Sequence, residues 1–127
     1  MYVTKLTPRF HDTDTLGHIN HAVFATWFEQ ARRPIFKIFT PDLDTSNWKI
    51  ILAKLEIEYL DQCYYQHEVE VRTHVPRIGK SSFDVVHEVW QSGKCVTKGK
   101  VVLIHFDYNS QKSKALSETE KSALAAL

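Results

Sequence analysis

Glycine, proline and cysteine are all scarce in this chain: 127 residues hold four Gly, four Pro and two Cys. So few breakers leave no low-complexity segment and no long flexible linker, and residues 1–127 read as one domain. The two cysteines, Cys63 and Cys95, have no CxxC spacing and no companion pair, which excludes a disulfide-stapled framework. They read as free thiols of a reducing compartment, so the cytoplasm is the expected location. An excess of charge is missing too. The formal net charge is +1, which gives no global basic field to hold a nucleic acid or an anionic membrane. No apolar run approaches the roughly 20 residues needed to span a bilayer, and the opening "MYVTKLTPRF" lacks the apolar core of a signal peptide. Neither nucleic acid nor membrane is expected as a partner.

What is present is an ordinary globular composition, 43% hydrophobic and 24% charged, enough for one core. "YVTKLTPRF" reads as a short strand. From about Asn20 the pattern turns helical: Phe24, Trp27, Phe28, Ala31 and Ile35 recur at spacings of three and four, one face of an amphipathic helix. Asn20 is a plausible N-cap for it, and Pro34 predicts a kink or break near Arg33. Beyond Trp48 the period drops to two. "AKLEIEYL", "HEVEVRTHV", "SSFDVVHEVW" and "CVTKGKVVLIHF" read as four strands, with "PRIGKS" and "QSGK" as turns between the later ones. "SETEKSALAAL" reads as a short closing helix with a capping-box spacing from Ser117 to Glu120. Tight turns join antiparallel neighbours, so the class is α+β, a sheet covered by one amphipathic helix. A single helix covers little sheet and leaves two strand edges open, and dimerisation eases both problems.

One segment is unusual. "RFHDTDTLGHINHAVF" packs His11, Asp12, Asp14, His18, Asn20 and His21 just ahead of the helix. By residue type alone such a segment is either a solvated, well-capped loop or an active site. Gly17 suits a sharp turn or a close backbone approach. His18 and His21 are three apart, with His11, Asp12 and Asp14 nearby, but no distal ligand cluster completes a zinc set, so no metal is expected. Neither cysteine sits in a Cys/His setting that would mark a nucleophile.

"DTDTLGHINHAVFATWFEQAR" resembles the D-x-D-x-x-G-H-V-N-N…Y…F-E-x-A-R signature of the hotdog-fold acyl-CoA thioesterases, of the 4-hydroxybenzoyl-CoA thioesterase type. The resemblance runs through most of the chain, with departures at Gln62–Cys63, at Gln66–His67 and in "HFDYNSQKSKAL". It implies a hotdog fold: an antiparallel five-stranded sheet wrapped around one long central helix. It implies hydrolysis of an acyl-coenzyme A to free acid and CoA, with no separate cofactor, since coenzyme A is part of the substrate. On the matching positions Asp14 becomes the catalytic carboxylate, general base or nucleophile, and Asp12 a hydrogen-bonding loop residue. The backbone amide of His21 becomes the oxyanion donor, because N–H groups that open a helix are unsatisfied and the helix dipole favours negative charge there. His18 and Asn20 would bind substrate or hold the loop. Arg77, Gly79, Lys80, Ser81 and Ser82 would meet the phosphates or the pantetheine arm of coenzyme A, where the bland alternative is a solvated hairpin turn. The expected assembly is a homodimer or homotetramer. The rival from another class is a non-catalytic hotdog protein that binds an acyl group or an acyl carrier.

Overall fold

The computed structural model describes residues 1–127. Strand β1 (Tyr2–Leu6) leads through a 3-10 turn at Phe10–Asp12 into helices α1 (Val23–Ala31) and α2 (Arg33–Phe39). Strands β2 (Ile50–Tyr59), β3 (Val69–Ile78), β4 (Ser82–Gln91) and β5 (Lys94–Asp107) follow, then a two-residue β6 (Lys112–Ser113) and helix α3 (Glu118–Ala125). The strands lie in the order β1-β3-β4-β5-β2, every pairing antiparallel, with β6 beside the end of β5. Ser92 and Gly93 both take positive φ (52° and 78°), the geometry of a two-residue hairpin turn that matches strand twist, and this closes β4 onto β5. Ser117 and Glu120 form the expected capping box at the start of α3.

The single long central helix is corrected to two short ones. α1 ends at Ala31 and α2 begins at Arg33, with Arg32 between them at φ −82°, ψ 1°. Pro34 is the cause: it has no N–H to offer Gln30, and its ring crowds the carbonyl of that residue four back. The start also moves. α1 begins at Val23, not near Asn20, and Asn20 is not its N-cap. Instead Asn20 Oδ1 accepts the Ala22 amide (2.9 Å) and Asn20 O accepts that of Val23 (3.0 Å), a turn that feeds the helix.

Both helices bury their apolar stripe against the concave face of the sheet. The core falls into two apolar clusters, one around Phe24, Trp27, Phe28, Val71 and Val89, the other around Ile35, Phe39, Phe83, Val85 and Leu124. A polar layer lies between them at the level of the helix break. Arg32, Thr73 and His87 are all buried there. Arg32 Nη1 donates to His87 Nε2 (3.4 Å), so neutral His87 carries its proton on Nδ1, 2.9 Å from Thr73 Oγ1. The Phe28 ring stacks on His87, 5.0 Å between centroids and 7° from parallel.

Burial, and then the neighbouring Arg32 charge, push the His87 pKa down from 6.5 to about 3. An unfolded chain protonates this imidazole below its ordinary value while the folded chain does not, so proton uptake favours unfolding across that interval. Full stability is expected above pH 6.5, with a loss from this group that approaches about 1.4 kcal/mol per pH unit as pH falls toward 3. Urea unfolding between pH 7 and 4 checks it: His87→Gln should flatten that part of the profile, and an unchanged slope would assign the acid sensitivity to other groups.

Candidate active site

The loop between β1 and α1 is held by its own acids. Asp12 is buried; its carboxylate accepts the Arg9 amide (2.8 Å) and the Arg9 guanidinium (3.3 Å), while its carbonyl accepts the Asn20 amide (2.8 Å). Asp14 is only half-buried. Its Oδ1 accepts the amides of Leu16 (2.8 Å) and His18 (3.2 Å), which fixes the carboxylate and leaves Oδ2 with no hydrogen bond. Gly17 completes the turn at φ +79°, a conformation that disfavours other residues, with its amide on Asp14 O (3.3 Å).

Asp14, His18 and His21 line one cleft of about 440 Å³. Its floor is apolar (Ile19, Phe24, Cys63) and its far wall is Tyr59 at the end of β2 with Leu60 and Asp61 just beyond it. The Tyr59 hydroxyl donates to His21 O (2.9 Å), and its ring meets those of His21 and Phe24 edge-on. The His21 amide makes no hydrogen bond with any acceptor in the chain, although the residues on either side are engaged. The cleft thus sets a fixed carboxylate and a free N–H at a helix entrance on a partly apolar floor. That pairing can activate or deliver a nucleophile and receive an oxyanion.

Asn20 holds the turn behind the cleft and is not one of its walls. The basic turn is farther off. Ser82 pairs with Ile104, which pairs with Ile51, whereas the cleft lies at the Tyr59 end of β2, eight residues along the strand or about 25 Å. Within one chain, then, Arg77 and Gly79–Ser82 do not meet Asp14. In the turn, Arg77 Nη2 donates to Asp84 Oδ1 (2.8 Å) and Ser82 Oγ (3.0 Å), and this pairing holds the Asp84 carboxyl below the usual carboxylate range. Lys80 has its side chain exposed and unpaired, while its carbonyl accepts the Leu116 amide (2.8 Å). Gly79 is tightly hemmed: a Cβ there would lie 3.1 Å from Ser82 O.

Both thiols are free, and burial pushes that of Cys63 up to about 12, far from a thiolate at neutral pH. Tyr59 is among the cleft residues that sequence reading missed. It sits in phase with Leu55 and Ile57 and reads as ordinary strand alternation. Only its place as the last residue of β2 distinguished it.

A family model described as the thioesterase-like superfamily matches residues 8–125. The chain belongs to the thioesterase-like superfamily. Among solved structures, a predicted thioesterase of Bacillus stearothermophilus is 34% identical with a TM-score of 0.96, over 98% of this chain and 94% of that one. A thioesterase from Thermus thermophilus, in complex with coenzyme A and Zn, is 30% identical with a TM-score of 0.86, over 98% and 91%. DHNA-CoA thioesterase from Staphylococcus aureus is 27% identical with a TM-score of 0.77, over 90% and 79%. These likenesses support a thioester hydrolase of the superfamily's curled-sheet α+β fold. No group of three or more His, Cys, Asp or Glu side chains is placed to hold a metal ion in this chain. No helix is long and apolar enough to cross a membrane.

Proposed function

We propose that this thioesterase-superfamily member hydrolyses an acyl-coenzyme A, in the manner of the 4-hydroxybenzoyl-CoA thioesterase type, with Asp14 as the working carboxylate. The observation that carries the reading is one cleft shared by the Asp14 carboxylate and His21, whose amide has no acceptor. In the general-base route a water attacks the thioester carbonyl carbon and gives its proton to Asp14. The resulting oxyanion takes a hydrogen bond from the His21 N–H. Collapse expels the CoA thiolate, which recovers the proton, and the acid departs. In the nucleophilic route Asp14 attacks the carbonyl itself and expels the CoA thiolate; water then cleaves the mixed anhydride, releasing the acid and regenerating Asp14, and the thiolate takes up the proton that water gives. His18 and the floor residues position the thioester. The test is a panel of acyl-CoAs assayed by release of free thiol. Saturable turnover of at least one is expected, and binding of acyl-CoA without any thiol release would favour the non-catalytic, acyl-binding reading. Two free thiols suit the reducing cytoplasm, where acyl-CoAs are made and used.

The same reading extends to a second copy of the chain. β2 bonds to β5 on one side only, so its other edge is open. Leu52, Leu55 and Tyr59 face the concave side opposite buried partners on β5, yet are 44%, 40% and 51% exposed. An open edge carrying exposed apolar residues invites pairing. Two-fold pairing there, β2 against β2, sets the Ile50 end of one chain beside the Tyr59 end of the other. The basic turn of the partner then stands about three strand spacings, roughly 14 Å, from the cleft, a span suited to the pantetheine arm. Light scattering is expected to give the mass of at least two chains. Lys80→Ala should raise KM for acyl-CoA severalfold with little change in kcat. Mixed with Asp14→Asn chains, it should regain activity at low substrate, because one heterodimer site then has both residues. No recovery on mixing would put the nucleotide elsewhere.

A further inference from the structure

The segment from Leu60 to Glu68, between β2 and β3, forms a wall of the cleft, yet it has almost no core of its own: every residue in it is exposed except Cys63. Its start is tied to β5 by the Leu60 and Asp61 amides on Val96 O (2.9 and 3.1 Å), and Cys63 packs into the core. The Tyr64–His67 stretch beyond is fastened to the sheet by one buried amide. Gln91, the last residue of β4, is 5% exposed. Its Nε2 donates to Tyr64 O (2.7 Å) and His67 O (2.9 Å), and its Oε1 accepts the Tyr64 amide (2.8 Å). Three hydrogen bonds from one side chain fix both the position and the direction of the Tyr64 peptide.

Tyr64 is in turn the partner of the Asp14 loop. His18 and Tyr64 form an antiparallel bridge, and their rings meet edge-on at 5.4 Å. The next peptide repeats the contact, with the Ile19 amide on Cys63 O (2.9 Å). His18 O then accepts the Asp14 amide (2.8 Å), and the His18 amide donates to Asp14 Oδ1 (3.2 Å). An unbroken run of short contacts joins the Gln91 amide to the Asp14 carboxylate through two loops whose packed anchors are Ile19 and Cys63.

We propose that Gln91 is a positioning residue for the thioesterase site: by clamping Tyr64 and His67 it sets the place of His18 and, through it, the orientation of the Asp14 carboxylate. This rests on the proposed role of Asp14. Gln91 does not line the cleft, and its action passes through the backbone of the Leu60–Glu68 segment. The amide group is specifically required. A carboxylate of the same shape could accept from Tyr64 N–H but could not donate to the two carbonyls, and would repel them.

The experiment compares wild type with Gln91→Glu and Gln91→Leu at a temperature where circular dichroism shows all three folded. Two quantities are read: acyl-CoA kinetics, and hydrogen exchange at the Asp14 and Ile19 amides with β3–β5 core amides as reference. Both variants should exchange faster at Asp14 and Ile19 while the core is unchanged. Their kcat should fall by about ten- to a hundredfold with KM within about twofold, as expected when a catalytic group is misplaced but substrate binding persists. Unchanged exchange at those two amides overturns the proposal, whatever the kinetics. Faster exchange with wild-type kcat overturns it as well, since the loop would then be mobile without consequence. If wild type hydrolyses no acyl-CoA, the thioesterase reading fails, and the exchange data alone decide whether Gln91 positions the Asp14 loop. Should Gln91→Leu fail to fold, Gln91→Glu, equal in shape, carries the test.

Discussion

Asp14→Asn is expected to fold, assemble and bind acyl-CoA, and to lose at least about a hundredfold in kcat. Asparagine keeps an Oδ1 that can accept the Leu16 and His18 amides, so the loop geometry survives. What it removes is the negative charge and the capacity to accept a proton or attack a carbonyl. General-base help is typically worth about 10² to 10⁴ in rate, or roughly 3 to 5 kcal/mol of barrier at about 1.4 per decade. The parallel change Asp12→Asn should act differently. Asp12 is buried and engaged by Arg9 through two donors, so its loss should lower stability more than kcat per folded molecule. Single-turnover hydrolysis on both variants decides the assignment. A near wild-type rate for Asp14→Asn sinks the mechanism, and a greater rate loss at Asp12 moves the carboxylate role there.

Phe28→Ala should be among the most destabilising single changes in the chain, at about 3 to 5 kcal/mol. Phe28 is wholly buried, stacks on His87 and lies directly over Gly99 of β5. The approach is so close that a Cβ at position 99 would stand 2.3 Å from Phe28 Cε2. The ring has little room to move, because it is wholly buried and stacked on His87. Gly99→Ala is therefore expected to cost about 1 to 3 kcal/mol by overpacking. The two effects should not add. With the ring gone, the alanine methyl enters vacated space, and Gly99→Ala in the Phe28→Ala background should cost far less than in wild type. Urea denaturation of the four proteins measures this. Sums that agree within about 0.5 kcal/mol would show that the two positions are not coupled.

How far the sequence reached is plain from single elements. The period-two runs marked all four long strands because successive side chains of a strand point to opposite faces, and their turns carried the signal of antiparallel order. The capping box of α3 was equally local, set by residues three apart. The Asp-x-Asp segment stood out because ionisable side chains crowd into a short stretch ahead of an apolar helix face. These features depend on near neighbours in the chain, and near neighbours are what a sequence displays.

The remainder depended on distant partners. Pro34 forecast a break, but only the packed structure put it at Arg32, where a buried guanidinium meets a histidine 55 residues away. Asn20 has the composition of an N-cap, yet the helix began three residues later because the loop bonds to Asp12 and Cys63 hold that backbone in a turn. Tyr59 read as ordinary strand alternation and Gln91 as the first residue of a turn. Their roles arise from contacts with His21 and Tyr64, 38 and 27 residues away. The separation of the basic turn from the cleft was equally invisible, for strand register is fixed by hydrogen bonds between segments. The sequence by itself determined the elements, the sheet's apolar face and the chemical character of the Asp14 loop, through local periodicity and residue type. Only the tertiary structure decided which groups share a cleft and which lie a strand's length apart, because those distances follow from register and packing between residues far apart in the chain.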